Sequence, residues 1–247
     1  MGALSEGPYD DVEVERISLR GDDGSVIPAI HARPAGMPRA GIVVHPDIMG
    51  IRPLFDDLCR RLATHGLAVC SPEPFARALA SGATLGDPTE RMGRVKDLDD
   101  SAQLDDLARA ADQLVVDDGV SEVSVLGFCM GGMYALEAAS TERFDRAVAL
   151  YGMIRVPESW RGPGRREPLE TASSVCPTLA IFGDADPYTP AADIEALRSA
   201  WADRPDCEIM VYPGAEHGFV HDPQRPAHRT DDAADAWRRA LTFLGLT

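Results

Sequence analysis

The sequence predicts an α/β fold: a mostly parallel central sheet with helices on both faces, opened by an N-terminal antiparallel hairpin. Three observations carry this reading. Short apolar runs of the buried parallel type recur at 42–44, 67–70, 123–126, 147–150, 178–182 and 209–212. Segments with helical spacing of apolar residues separate most of them. The chain, 247 residues with 45% hydrophobic content, is long enough to bury one full core, so a single domain over 1–247 is expected.

Taken in order, V-E-V-E-R-I-S-L at 12–19 alternates apolar and polar side chains as a half-buried strand does, and 26–32 can return beside it after the turn G-D-D-G. Leu54, Leu58 and Leu62 mark a helix over 54–64, and Leu104, Leu107, Ala111 and Leu114 mark another over 98–116. A helix starts near Gly131, and 194–201 and 233–244 supply two more. The stretches 72–96 and 155–174, the latter with its run R-G-P-G-R-R-E-P, lack clear periodicity and read as lids, pocket walls or plain surface loops. In such a sheet the ligand site lies beyond the carboxyl ends of the strands, so catalytic residues are expected just after strands.

The charge balance, 24 basic against 40 acidic residues for a net −16, disfavours nucleic acid and anionic membrane surfaces as partners. No stretch approaches the roughly 18 apolar residues of a membrane helix, and M-G-A-L-S-E-G-P-Y-D-D has no secretory pattern, which predicts a cytoplasmic protein. Met1-Gly2 resembles a myristoylation start, but Glu6 stands where Ser or Thr is needed. Five scattered cysteines, Cys59, Cys70, Cys129, Cys176 and Cys207, form no C-x-x-C pair and fit neither a disulfide framework nor a zinc site. A monomer or small homo-oligomer acting on a small molecule is expected, with no metal or other cofactor.

The chemistry centres on S-V-L-G-F-C-M-G-G-M-Y-A-L, which sets Cys129 between a strand and a helix in the pattern G-x-C-x-G. A nucleophile elbow needs glycines two before and two after the central residue because side chains there would clash with neighbouring elements, and Gly127 and Gly131 meet that need. A sulfur at a helix N-terminus favours thiolate, and the backbone N–H of Met130 would face the developing oxyanion. The strand at 178–182 ends in G-D-A-D-P-Y-T-P, offering Asp184 and Asp186, and the strand at 209–212 ends in P-G-A-E-H-G-F, offering His217. Nucleophile, acid and histidine thus follow the order of the α/β-hydrolase fold. Asp186 is preferred as the acid, since Asp184 directly follows Gly183 and is better placed to cap the loop. After the first parallel strand, V-V-H-P-D-I-M-G-I occupies the place of the second oxyanion donor, here the N–H of Ile48, with Asp47 within reach of the sulfur.

These residues resemble the dienelactone hydrolase (carboxymethylenebutenolidase-like) family over nearly the whole chain. The likeness rests on G-F-C-M-G-G, D-I-M-G, F-G-D-A-D-P-Y-T-P and E-H-G-F in that order, with A-L-Y-G and P-E-P-F-A-R as further signs. The resemblance implies a cofactor-free hydrolase that opens dienelactone to maleylacetate, with Cys129 as nucleophile, His217 as base and Asp186 as its partner through a thioester acyl-enzyme. It implies thiol activation at Asp47, where the family carries a glutamate one methylene longer. It also implies two substrate-carboxylate arginines, one matched by His221 here and the other by Arg91 or Arg94. Two other readings are open: a promiscuous carboxylesterase with an uncharged substrate, and, in a different class, a thiol-redox sensor using Cys129.

Overall fold

The opening alternation folds as a hairpin, β1 (Val12–Arg20) against β2 (Val26–Pro34), with Val12 opposite Pro34 and Arg20 opposite Val26. The computed structural model describes residues 4–162 and 164–246, so Met1-Gly2 and Pro163 of the R-G-P-G-R-R-E-P run lie outside the described residues. After the hairpin come β3 (Ala40–His45), α1 (Pro53–Ala63), β4 (Leu67–Pro72), α2 (Ala76–Ala80), α3 (Pro88–Arg94) and α4 (Asp100–Asp118). The second half runs β5 (Val123–Phe128), α5 (Met130–Ala138), β6 (Ala147–Leu150), α6 (Pro168–Thr171), β7 (Thr178–Gly183), α7 (Ala191–Ala200), β8 (Cys207–Tyr212) and α8 (Thr230–Phe243).

The eight strands form one sheet in the order β1-β2-β4-β3-β5-β6-β7-β8. β2 pairs antiparallel with both β1 and β4, and every pair from β4 onward is parallel, as the continuous apolar runs predict. β3 to β7 are almost wholly buried, while β1 and β8 are the half-exposed edges. The run at 209–212 thus belongs to an edge strand rather than a fully covered one. No described helix is long and apolar enough to cross a membrane.

Helices α1, α4, α7 and α8 lie where the periodicity placed them, and α4 is closed by caps at both ends. Asp99 accepts the Ala102 N–H at 2.8 Å, and Gly119 takes the left-handed conformation at φ 68°. Within 72–96 the structure has two short helices that the apolar pattern did not reveal. α3 nevertheless carries a local signal in D-P-T-E. Asp87 caps Glu90 N–H at 2.9 Å, Glu90 reaches back to the Asp87 N–H at 3.3 Å, and Pro88 takes the first turn.

Every residue of α5 is buried, so the helix that carries the elbow is the centre of the molecule rather than a surface element. Backbone approaches backbone around it. A methyl group at Gly127 would collide with the Gly131 carbonyl, one at Gly131 with the carbonyls of His45 and Pro46, and one at Gly132 with Leu150 and Gly152. Gly93, in α3, faces open space instead. Chemical denaturation should separate the two kinds of glycine. Gly127→Ala lowers stability by about 1–3 kcal/mol or more because rigid backbone cannot give way. Gly93→Ala raises it by about 0.5–1 kcal/mol through helix propensity.

Candidate active site

Cys129 sits at the turn from β5 into α5 with φ 57° and ψ −118°, one of three non-glycine residues of positive φ among those described. Its amide is tied to the Leu150 carbonyl at 3.0 Å, which fixes the turn against β6. As the residue preceding α5 it stands at the positive end of the helix dipole. The Met130 N–H, at the first helical position, has no intrahelical acceptor and donates to no described protein atom.

Two further strand ends bring the histidine and its acid. His217 Nδ1 lies 2.7 Å from Asp186 Oδ2, and Asp186 is anchored by the Tyr188 N–H on Oδ1 at 2.8 Å. Asp184 is turned away and accepts the Gly214 N–H, which ties the β7 loop to the β8 loop. The imidazole of His217 is held edge-on between Tyr151 and Tyr188, with ring centroids 5.3 and 4.9 Å away. Its Nε2 is buried and has no hydrogen-bond partner among the described residues. Burial alone would lower the His217 pKa. The neighbouring Cys129 sulfur and the bond to Asp186 outweigh it and push the imidazole up to about 10.

Cys129 and His217 line one cavity of about 400 Å³. Its walls are mostly apolar, from Ile48, Met49, Pro88, Met92, Met153, Trp160 and Tyr188, and its polar groups are Asp47, Arg52, Asp222 and Arg225. The two stretches without periodicity therefore do supply wall residues: Pro88 and Met92 from one, Trp160 from the other. A larger, more open depression of about 620 Å³ lies at the amino ends of β6 to β8, around Arg146, Asp206 and Arg238, and holds none of the strand-end residues.

The loop after β3 carries Ile48, whose side chain lines the cavity and whose N–H donates to no described protein atom. Asp47 precedes it, held by Arg52 at 2.7 and 2.8 Å and by His221 Nε2 at 2.8 Å. Burial would raise the Asp47 pKa, but His221 and Arg52 hold the carboxyl well below the usual carboxylate range. His221 is buried behind the cavity wall, its Nδ1 against the Tyr151 hydroxyl, and burial pushes its pKa down.

Arg91 likewise lies behind the wall rather than on it. It pairs with Glu73 at 3.1 Å, donates to the Leu85 carbonyl at 3.0 Å and stacks over Phe75, leaving no free face for a substrate. Arg94 is exposed and pairs with Asp97. The arginines that reach the cavity are Arg52 and Arg225, neither of which the sequence reading singled out. Arg225 has no carboxylate within 4.0 Å among the described residues. The sequence does hold a signal for it: an arginine eight residues after His217, in H-D-P-Q-R, on the loop that carries the histidine. No described group of three or more His, Cys, Asp or Glu side chains is disposed to hold a metal ion.

Comparison with known proteins identifies the family of the chain. The dienelactone hydrolase family model matches residues 27–247. A relative from Escherichia coli (strain K12), provisionally named a carboxymethylenebutenolidase, is 33% identical over 241 residues, covering 95% of this chain and 88% of its own. The carboxymethylenebutenolidase of Rhodococcus opacus is 29% identical over 220 residues, covering 88% and 85%. Among solved structures, a protein from Klebsiella pneumoniae subsp. pneumoniae MGH 78578, provisionally named a dienelactone hydrolase, superposes with a TM-score of 0.85 at 29% identity, over 95% of this chain and 98% of its own. With a cysteine elbow, an aspartate-bound histidine and a family match over most of its length, the chain belongs to the dienelactone hydrolase family and is a carboxylic ester hydrolase.

Proposed function

We propose that the protein hydrolyses small esters or lactones through a thioester on Cys129, with His217 as proton shuttle and Asp186 as its orienting partner. The observation that supports this most is the shared cavity. A strained helix-capping cysteine and a histidine with a buried, unpartnered Nε2 line the same space, while the other ring nitrogen is bound to a carboxylate. The sulfur adds to the carbonyl carbon, and the Met130 and Ile48 N–H groups receive the charge on its oxygen. As the tetrahedral adduct collapses, His217 gives its proton to the departing alkoxide, which in a lactone remains tethered to the acyl chain. His217 then takes a proton from water, the hydroxide attacks the thioester, and Cys129 leaves as thiolate.

The names of its relatives point to a carboxylate-bearing lactone, and Arg225 offers such a substrate a guanidinium with no carboxylate within 4.0 Å among the described residues. The apolar walls favour a second reading, a carboxylesterase for uncharged substrates, because Arg52 is already paired with Asp47. A thiol-redox role is not favoured: no second cysteine lines the cavity of Cys129. The reduced thiol fits the cytoplasm in which we place the protein.

Hydrolysis of a dienelactone beside a neutral activated ester tests the proposal. Cys129→Ala abolishes both activities and the acyl-enzyme mass adduct; persistence of either activity refutes the nucleophile. His217→Ala and Asp186→Asn slow acylation by about 10²–10⁴-fold without loss of the folded state. Arg225→Ala raises KM for the carboxylate-bearing lactone about tenfold or more and leaves the neutral ester unaffected. An equal effect on both substrates would remove Arg225 from specificity. Because the His217 pKa is pushed up to about 10, its proton is available to the leaving group through neutral pH, and acylation shows a basic limb, falling as pH rises through that value. Rapid release of a chromophoric leaving group reads this limb directly.

A further inference from the structure

The Asp47 carboxylate has two oxygens and about four lone-pair sites. All four are occupied. Oδ1 accepts the Met49 N–H at 2.9 Å and Arg52 Nη1 at 2.7 Å; Oδ2 accepts Arg52 Nη2 at 2.8 Å and His221 Nε2 at 2.8 Å. The donors are themselves held. Because an ionised carboxylate only accepts, His221 Nε2 carries the proton it donates to Asp47, its Nδ1 meets the Tyr151 hydroxyl, and the His221 ring stacks on Phe128 with centroids 4.9 Å apart. Arg52 also reaches the Gly50 carbonyl at 3.2 Å and lies 5.1 Å over the Phe55 ring.

From this saturation we infer that Asp47 is a positioning residue, which with Arg52 and His221 fixes the loop presenting the Ile48 N–H, and that the Cys129 proton passes to His217 without its help. The inference rests on the cysteine–histidine reading above and replaces the expectation that Asp47 activates the thiol. To accept a proton from sulfur, Asp47 would have to break a bidentate guanidinium bond or the His221 bond in a site where it is 2% exposed. A carboxyl held well below its ordinary pKa is also a weak base.

What the saturation does achieve is orientation. The Asp47 side chain binds the Met49 N–H and its carbonyl accepts the Gly50 N–H at 2.9 Å, so Ile48 is enclosed in a turn fixed on both sides. Gly50 takes φ 67° at the turn's end, and the Ile51 N–H is taken by Glu73 at 2.9 Å. Arg91 holds Glu73 from behind. The loop is therefore anchored at Asp47, Met49, Gly50 and Ile51, while the amide in its middle, that of the cavity-lining Ile48, donates to no described protein atom.

The test separates ionisation from oxyanion binding in the free enzyme. Alkylation of Cys129 by iodoacetamide across pH reports the thiolate; pre-steady-state acylation by a neutral activated ester reports the oxyanion site. Asp47→Asn should leave the alkylation midpoint within about half a pH unit of wild type. It should lower the acylation kcat by about tenfold or more with KM unchanged, as loss of an aligned oxyanion donor does. His217→Ala should move the alkylation midpoint upward. If Asp47→Asn moves that midpoint up by a pH unit or more, or leaves acylation intact, the inference is overturned. If His217→Ala fails to move it, the cysteine–histidine reading itself falls. Should Asp47→Asn not fold, His221→Phe serves, since it keeps an aromatic ring on Phe128 and removes the Nε2 donor without altering charge. The same split is expected of it, and a shifted midpoint or unchanged acylation would again overturn the inference.

Discussion

The backbone of Cys129 is the constraint on which the site depends. A non-glycine residue at φ 57° and ψ −118° costs about 1–3 kcal/mol and persists only where its surroundings over-determine it. Here Gly127, Gly131, Gly132 and Gly152 bring backbone against backbone with no room for a methyl group, and the Cys129 amide is bound to Leu150. The next residue of that neighbouring turn, Tyr151, is itself at φ 41° and is bound through its amide to the Ile181 carbonyl at 2.7 Å. Two strained turns at the ends of β5 and β6 thus share one hydrogen-bonded ladder. One delivers the sulfur, and the other sets a tyrosine ring beside the histidine.

Burial then decides how the two histidines near the sulfur differ. Each is bonded to an aspartate, and desolvation acts against the charge of each. His217 lies beside Cys129, and the sulfur together with Asp186 pushes the imidazole pKa up against desolvation. His221 turns its second nitrogen to a neutral tyrosine hydroxyl and lies within the fields of Arg52 and Arg225, both of which oppose its protonation. Two similar His–Asp pairs in one dry region are therefore pushed in opposite directions, the His217 pKa up and the His221 pKa down.

Much of this was legible in the sequence because it rests on local pattern. The β-strand alternation in V-E-V-E-R-I-S-L, the apolar parallel runs and the G-x-C-x-G turn are properties of consecutive residues, and the order of the strand-end loops follows from the topology they imply. The cavity arginines were not legible, because which cation faces the cavity depends on where the other carboxylates stand. Arg91 falls in a stretch that reads as a loop from sequence, yet it sits in α3, and Glu73, eighteen positions earlier, takes its charge inward. Arg225 reaches the site only because the loop after β8 folds back over Gly218, whose φ of 79° permits the turn. Asp47 shows the same limit. Proximity to the sulfur could be read from its place after β3, but the donors that fill its lone pairs come from Arg52 on one side and from His221, 174 positions away, on the other.

The charge at the cavity mouth bears on which substrates can enter. The chain as a whole carries −16, a field that opposes any anionic substrate approaching from solvent. Within the cavity Asp47 cancels Arg52, so neither steers an incoming ligand. Arg225 remains, with Asp222 on the same wall, and its charge reaches inward as far as Tyr151 and His221. At physiological ionic strength the global field decays over about 8 Å, whereas a guanidinium beside low-dielectric walls of Met49, Met92, Met153 and Trp160 is screened far less. On the proposed reading, recognition of a carboxylate is thereby a contact property of one side chain and not of the protein surface. Under the proposed function the same apolar walls take an uncharged acyl group with no contribution from Arg225, so the two proposed substrate classes would share the cysteine chemistry and differ in their dependence on that single guanidinium.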